Sequence, residues 1–182
     1  PMSASIKNEK ESILSHMRTH DLLHMPIIDD YGRLFDLKTL HNLIDNERHD
    51  NPVLLMAGGF GKRLSPLTND VPKPLLRVGS KPILETILEQ FIKNGFHDFF
   101  ISTHYKAEMI RDYFGDGKRW GVTIKYIHED VPLGTAGAFG LLPDGIVNLP
   151  IIMMNGDLLT KVDFGKLLEF HNNRKNLATI CV

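Results

Sequence analysis

Glycines are concentrated directly after an apolar run that could form a buried strand. The run, Val53–Ala57, has the short length and continuous apolar character of a strand in a parallel sheet. Glycine has no side chain to block a ligand from approaching the backbone, and consecutive N–H groups in such a loop form an anion-binding concavity. The candidate ligand-binding residues of this loop are Ala57, Gly58, Gly59 and Gly61.

Three cations lie beside the glycine loop. Lys62 and Arg63 close it, and Lys73 lies between two prolines that stiffen its backbone. A Walker loop is excluded because no Ser or Thr follows Lys62, and a dinucleotide fingerprint is excluded because Lys-Arg-Leu follows Gly61. A glycine-rich turn alone would be a weak signal, but the cations that follow it indicate a polyphosphate site.

The stretches Met56-Ala-Gly-Gly-Phe-Gly-Lys-Arg-Leu-Ser-Pro-Leu-Thr and Val71-Pro-Lys-Pro-Leu resemble the signature of the sugar-1-phosphate nucleotidylyltransferases. Members of this family join a sugar 1-phosphate to a nucleoside triphosphate and release pyrophosphate. The resemblance covers residues 52–182. It implies nucleoside triphosphate and sugar 1-phosphate substrates, and the sequence does not specify which sugar.

The resemblance also implies roles for the cations. Arg63 holds the triphosphate and the leaving pyrophosphate, and Lys73 neutralises the phosphates around the reacting centre. Both are therefore candidate catalytic residues, although each alone could be a solvated surface cation. Lys62 stands where the family usually has Thr. The attacking phosphate oxygen is already ionised, so positioning and electrostatics supply the catalysis without a general base.

Asp157 is the candidate metal ligand. It follows a hydrophobic strand and Asn155-Gly156, where a carboxylate can bind Mg²⁺ that bridges to phosphate oxygens. An Asx turn or a helix cap is the alternative for this pattern. The resemblance favours the metal and places the family's second carboxylate, like its sugar-binding half, beyond Val182. This fragment alone is therefore expected to be incomplete for catalysis.

The segment Glu129-Asp-Val-Pro-Leu-Gly-Thr-Ala-Gly-Ala resembles the family's nucleotide-base loop and the helix that it opens. The candidate binding residues are Glu129, Gly134 and Thr135. Pyrimidine-using relatives commonly have glutamine at the first position, whereas an ionised carboxylate only accepts hydrogen bonds and suits the two adjacent donors of guanine. GTP is therefore the favoured donor, with Asp130 as an alternative reader. An ordinary loop and helix start is the structural alternative.

Residues 1–50 differ from the rest of the chain. A helix is predicted over Glu11–Arg18, strands over Met25–Asp29 and Arg33–Leu37, and a second helix over Leu40–Asp45. This order resembles one cystathionine-beta-synthase (CBS) motif, a regulatory module that works in pairs and often binds adenine nucleotides. Asn42 stands where an acid would hold the ribose, so a module that only packs against a partner is favoured over one that senses a nucleotide.

The fold class predicted for residues 51–182 is α/β. Strands alternate with helices, which implies a Rossmann-like, mainly parallel sheet with helices on both faces, of the nucleotidyltransferase fold and truncated at the C-terminus. The glycine loop, Glu129 and Asp157 all lie at predicted strand ends, where such sheets bind ligands. The predicted strands are Asp98–Thr103, Val122–His128, Ile151–Met154 and the start of one at Leu177–Val182, and the predicted helices are Lys81–Gly95, Lys106–Phe114 and Val162–Asn172.

Composition limits the remaining possibilities. The net charge of −1 gives no general attraction to nucleic acid or an anionic membrane. No apolar run has the length of a membrane span. The single cysteine, Cys181, excludes an internal disulfide and fits a cytoplasmic protein. A homo-oligomer is expected from the CBS-type module.

Two alternatives to a guanylyltransferase stay open. One is a thymidylyl- or uridylyltransferase of the same fold. The other is a regulatory subunit that has lost catalysis and only senses sugar nucleotides. Loss of the cations equivalent to Arg63 or Lys73 would favour the regulatory subunit, and both cations are present.

Overall fold

The chain forms two compact units, Pro1–Glu47 and Arg48–Val182. The computed structural model describes residues 2–40, 43, 48–131, 133–134, 137–143, 145–146 and 149–182.

The first unit is a small α+β structure. Strand β1 pairs in parallel with β2, and β2 pairs antiparallel with β3. The predicted first helix and the two predicted strands are confirmed, whereas β1 was not predicted. The elements are β1 (Ala4–Ser5), α1 (Lys10–Thr19), β2 (His24–Ile28) and β3 (Leu34–Thr39).

A turn stabilised by Asp29 joins β2 to β3. The Asp29 carboxylate accepts hydrogen bonds from the backbone N–H groups of Tyr31 and Arg33, each at 2.9 Å. Helix α1 packs on the sheet through Ile13 and Met17, which are buried in the unit's own apolar cluster. Most of the helix predicted over residues 40–45, including Asn42, lies outside the described residues.

The second unit contains a parallel sheet and three α-helices among its described residues. Short 3-10 segments lie at Lys62–Leu64, Lys73–Leu75, Lys118–Trp120 and Gly137–Leu141. The strands are β4 (Val53–Met56), β5 (Arg77–Val78), β6 (Lys81–Pro82), β7 (Asp98–Thr103), β8 (Thr123–His128) and β9 (Ile152–Asn155), and the helices are α2 (Ile83–Lys93), α3 (Ala107–Phe114) and α4 (Phe164–Arg174).

The main sheet has the strand order β8-β7-β4-β9, and all three pairings are parallel. Leu55 of β4 pairs with Ile101 on one side and with Met154 on the other. The chain therefore leaves β4 in one direction through β7 and β8 and returns on the opposite side as β9. This reversal makes the carboxyl end of β4 a topological switch point, where open α/β sheets bind their ligands.

The three helices pack on one face of the sheet, which corrects the prediction of helices on both faces. Val53 and Leu55 of β4 share one buried cluster with residues of α2, α3 and α4. The opposite face, with Leu54 and Phe100, is covered by Ala138 of a 3-10 segment and by neighbouring loop residues. Because side chains alternate along a strand, an apolar strand presents apolar side chains on both faces of the sheet. Both faces must therefore be covered, but a 3-10 segment can cover one of them in place of an α-helix.

The strand predicted at Leu177–Val182 is wrong. This segment follows α4 without β structure, and Leu177 and Ile180 are exposed. Its apolar composition suits a strand, but a strand also needs the backbone of a neighbour for its hydrogen bonds. No helix in the part of the chain that the structure describes combines the length and apolar character needed to cross a bilayer.

Candidate functional site

A cleft of about 280 Å³ lies at the carboxyl ends of β4, β8 and β9. Its position agrees with the expectation that the strand ends of a parallel sheet form the site. The residues that follow these three strands make up most of its lining. The lining residues are Met56, Ala57, Gly58, Gly59, Phe60, Lys73, Pro74, Glu129, Gly134, Asn155, Gly156 and Asp157.

The cleft has two walls of different chemistry. We use "Lys73 wall" for Lys73, Asn155, Gly156 and Asp157, and "Glu129 wall" for Gly58, Glu129 and Gly134. The Lys73 wall carries an ion pair. The Glu129 wall carries a buried carboxylate next to a glycine.

The Lys73 wall brings together two residues that are 84 positions apart in sequence. The Lys73 ammonium group forms a salt bridge with the Asp157 carboxylate. The backbone of Lys73 is fixed in a 3-10 turn that Pro72 precedes and in which Pro74 is buried. Gly156 lets the chain pass close to β4, because its N–H donates to the carbonyl of Met56 at 2.8 Å and a β-carbon there would lie 2.8 Å from that oxygen. Sequence reasoning identified both charged residues but not their pairing.

The Glu129 wall is fixed by contacts within the protein. Glu129 is 6% exposed, and its Oε2 accepts a hydrogen bond of 3.3 Å from the N–H of Leu133. A β-carbon on Gly58 would lie 2.9 Å from Glu129 Oε1. Asp130, the alternative base reader, has a side chain that is 98% exposed, and it does not line the cleft.

The glycines of the loop serve different purposes. Gly58 makes room for Glu129, as described above. Gly61 has φ of +63°, and a β-carbon there would lie 2.9 Å from Thr68 Cγ2, so both its conformation and its neighbour require glycine. Gly59 has no atom within 4 Å of the corresponding position, and it lines the cleft. Among these three, Gly59 alone opens onto free space.

The other two cations of the signature lie outside the cleft lining. Lys62 and Arg63 belong to an exposed 3-10 turn. The Lys62 ammonium group lies 5.2 Å from the centroid of the Phe60 ring, as in a cation–π contact. No salt bridge to Arg63 is found among the described residues. The structure therefore brings Lys73 into the cleft and leaves Lys62 and Arg63 at its rim.

The remaining predicted residues lie in the segment after β8. Gly134 lines the cleft with φ of +76°. Thr135 lies outside the described residues. Gly137 begins a 3-10 segment, where a β-carbon would lie 2.1 Å from Leu133 Cβ. Contact with Leu133 therefore accounts for glycine at this position.

Sequence reasoning did not select five lining residues and one neighbour of the cleft as candidates. The lining residues are Met56, Phe60, Pro74, Asn155 and Gly156. His104 lies beside the Glu129 wall, with its Nδ1 2.6 Å from the carbonyl oxygen of Glu129. His104 directly follows β7. Its position at a strand end could have marked it, but nine scattered histidines gave no other reason to select it.

The residues present can accommodate Mg²⁺ at Asp157. The Asp157 side chain is 35% exposed, and it lines the cleft. No group of three His, Cys, Asp or Glu side chains suited to a metal is found among the residues that the structure describes. Mg²⁺ commonly binds through one or two carboxylates together with substrate phosphates. A single protein carboxylate therefore fits this ion when a phosphate ligand is present.

Comparison with known proteins identifies the family of the second unit. Residues 52–182 match the model of the family described as nucleotidyl transferase. Mannose-1-phosphate guanylyltransferase of Mycobacterium tuberculosis (strain ATCC 25618 / H37Rv) is 33% identical over 132 residues, which are 72% of this chain and 37% of that protein. D-glycero-alpha-D-manno-heptose 1-phosphate guanylyltransferase of Aneurinibacillus thermoaerophilus is 36% identical over 129 residues, which are 71% of this chain and 56% of that protein.

A solved structure supports the same relationship. HddC from Yersinia pseudotuberculosis, complexed with GMP-PN, superimposes with a TM-score of 0.59 and 31% identity, over 66% of this chain and 54% of that one. The chain thus spans between 37% and 56% of the lengths of these proteins.

Proposed function

The chain belongs to the nucleotidyl transferase family, and we propose that its cleft binds a nucleoside triphosphate whose nucleotidyl group is transferred to a sugar 1-phosphate. The observation that carries this proposal is the Lys73–Asp157 salt bridge beside the glycine loop, at the switch point of a parallel sheet. A cation, a carboxylate and the backbone N–H groups of a glycine loop together suit a metal-bound polyphosphate.

The reaction needs little covalent participation by the protein. An ionised oxygen of the sugar phosphate attacks the α-phosphorus, the bond between that phosphorus and the bridging oxygen breaks, and pyrophosphate leaves with the electron pair. Nucleophile and substrate are both anionic, so their repulsion must be reduced. Lys73 supplies a positive charge fixed in the cleft, where it stabilises the charge that develops around the reacting centre.

We assign Arg63 and Lys62 to the triphosphate tail. Both are exposed at the rim of the cleft, close to the glycine loop, and their side chains are long enough to turn toward a bound ligand. An arginine can form two parallel hydrogen bonds to phosphate oxygens. Arg63 would therefore hold the leaving pyrophosphate, and Lys62 would supply a second positive charge.

Asp157 is the proposed Mg²⁺ ligand. When bound, Mg²⁺ would polarise the phosphate oxygens and neutralise part of their charge. Asp157 at present accepts from Lys73, so its carboxylate is already oriented toward the cleft. Release of that pairing would leave the Lys73 ammonium group free for a phosphate oxygen.

GTP is the proposed nucleotide, with Glu129 as the reader of guanine. A buried carboxylate can accept from the N1–H and the N2 amino group of guanine, whereas thymine and uracil place acceptor carbonyls beside their single donor. The guanylyltransferase relatives, and the GMP moiety in the ligand of the solved relative, support this base. The two relatives differ in their sugars, so the sugar is left open. Gly134 and Thr135 complete the proposed base loop.

The first unit is proposed to regulate or assemble the protein without taking part in the chemistry. It has its own apolar cluster and the strand–turn–strand arrangement expected of a CBS-type half. A paired copy, in a homo-oligomer, would complete such a module and could hold an adenine nucleotide between the halves. Phe35 and Leu37 of β3 are 63% and 51% exposed, which is compatible with pairing.

A pyrophosphate-release screen tests the proposed function. The complete natural protein is incubated with Mg²⁺, each of GTP, dTTP, UTP and ATP, and a panel of sugar 1-phosphates. We expect release that requires both substrates and is fastest with GTP. Fastest release with dTTP or UTP would support the alternative of the same fold. Nucleotide-sugar binding without release from any pair would instead support a regulatory subunit.

A further inference from the structure

Three consecutive residues at the corner between β7 and α3 donate hydrogen bonds to backbone carbonyls beside the cleft. His104 Nδ1 lies 2.6 Å from the carbonyl oxygen of Glu129. A carbonyl oxygen only accepts, so Nδ1 carries the proton in this contact. His104 therefore holds the chain at the residue that supplies the carboxylate of the Glu129 wall.

The next two residues hold the segment behind the glycine loop. The Tyr105 hydroxyl lies 3.3 Å from the carbonyl oxygen of Thr68 and 3.2 Å from that of Asn69. The Lys106 ammonium group lies 2.9 Å from the carbonyl oxygen of Asp70. Thr68 is itself buried, and its hydroxyl donates to the carbonyl of Gly61 at 3.0 Å. Tyr105 and Lys106 thus support the glycine loop indirectly, through residues 68–70.

Ring contacts and backbone geometry strengthen this arrangement. The ring of Phe60 packs edge-on against His104 at 5.0 Å and lies 5.8 Å from Tyr105. Lys106 has φ of +49°, which is uncommon for a residue other than glycine. A left-handed residue at this point turns the chain sharply between β7 and α3. Unusual backbone conformations of this kind are concentrated at functional sites.

We propose that His104, Tyr105 and Lys106 form a positioning bracket that sets the separation between the glycine loop and Glu129. This inference rests on the proposed function, since it concerns how one nucleotide is held at both its base and its phosphates. His104 acts on the base end by orienting Glu129. Tyr105 and Lys106 act on the phosphate end by holding the loop. None of the three lines the cleft, so they are positioning residues.

A matched pair of substitutions tests the role of His104. Asn places an amide N–H near the position of Nδ1, whereas Gln places it near Nε2, so His104→Asn retains the donor and His104→Gln displaces it. We expect His104→Gln to lower the ratio of GTP to dTTP affinity by about tenfold, the effect of one hydrogen bond, and His104→Asn to keep most of it. Affinities are measured by calorimetry with Mg²⁺ and each nucleotide, using the complete protein.

Tyr105→Phe tests the role of Tyr105 at the phosphate end, since it removes only the hydroxyl. We expect weaker binding of GTP and dTTP by the same factor, with their ratio unchanged. The control is His128→Asn, because the His128 ring lies 6.4 Å from that of His104 and is half exposed. It should change neither the affinities nor the ratio.

Three results would overturn the bracket. The first is a GTP-to-dTTP affinity ratio that His104→Gln leaves unchanged. The second is an equal fall of this ratio in His104→Asn and His104→Gln. The third is a Tyr105→Phe variant that changes the ratio instead of weakening the binding of both nucleotides. Thermal denaturation of each variant separates a general loss of stability from these patterns. Wild-type protein that binds no nucleotide would refute the proposed function as well, whereas wild-type selectivity that no variant alters would refute only the bracket.

Discussion

The two walls of the cleft differ in how firmly protein contacts hold their charged groups before a ligand binds. Lys73 and Asp157 have side chains that are 36% and 35% exposed, and they neutralise each other. Glu129 is 6% exposed and is held by the backbone of its own loop. The Lys73 wall can therefore exchange partners when phosphate and metal enter, while the Glu129 wall is set in advance. The residues proposed for charge stabilisation and those proposed for base selection therefore differ in the freedom of their side chains.

The largest effect is expected on the Lys73 wall. Lys73→Ala should lower kcat by about 10²-fold or more, because it removes a fixed positive charge from the developing transition state. The measurement is steady-state pyrophosphate release by the complete protein at saturating substrates. Lys93→Ala, at the exposed end of α2, is the control. Near-normal turnover of Lys73→Ala would contradict the role of Lys73.

The Glu129 wall should respond in selectivity more than in rate. Glu129→Gln replaces an acceptor-only group with one that also donates, so the preference of kcat/KM for GTP over dTTP and UTP should fall by about tenfold, the effect of one charged hydrogen bond. Asp130→Asn is the matched control, because that side chain is 98% exposed. If Glu129→Gln keeps the selectivity, or if Asp130→Asn loses it, Glu129 is not the reader.

Smaller effects should distinguish Gly61, which the fold requires, from Gly59, which lines the cleft. Gly61→Ala should reduce the free energy of unfolding by about 1–2 kcal/mol, because alanine is strained at positive φ. Gly59→Ala should leave that free energy unchanged and weaken nucleotide binding. Urea denaturation followed by fluorescence is suitable, since the single tryptophan, Trp120, lies in the second unit. Equal destabilisation by both substitutions would remove the distinction.

The smallest effect on the cleft is expected from removal of residues 1–47. Neither wall contains a residue of the first unit, so nucleotide binding and selectivity should stay close to those of the intact protein. Oligomeric state, measured by light scattering, and any response to adenine nucleotides should change instead. A well-folded truncated protein that has lost all activity would show that the first unit contributes to the chemistry.

The sequence predicted the parts of the molecule that depend on short-range patterns. The strand Asp98–Thr103 has the predicted bounds, because its apolar run is bordered by polar residues on both sides. Lys73 and Asp157 were identified from their neighbours in sequence. Their salt bridge was not, since it depends on β9 returning to the side of β4 opposite β7. Pairing between distant residues is decided by topology, which local patterns do not encode.

Other features escaped prediction because one residue type can serve several purposes. Gly58 and Gly61 were expected to make room for a ligand, but Glu129 and Thr68 occupy the adjacent space. The composition of Leu177–Val182 suits a strand, and yet its apolar residues are exposed. His104 belongs to a residue type that is scattered through the chain. In each case the outcome depends on which residues are neighbours in the folded structure.

The rim position of Lys62 and Arg63 has a consequence for the kinetics of encounter. Lys73 is already neutralised by Asp157. A polyanion that approaches through solvent is therefore attracted mainly by the charges of Lys62 and Arg63. Attraction between exposed charges decays over a Debye length, about 10 Å at 0.1 M salt. Rising ionic strength should therefore slow the association of the nucleotide. The step after binding, governed by charges inside the cleft, should depend far less on salt.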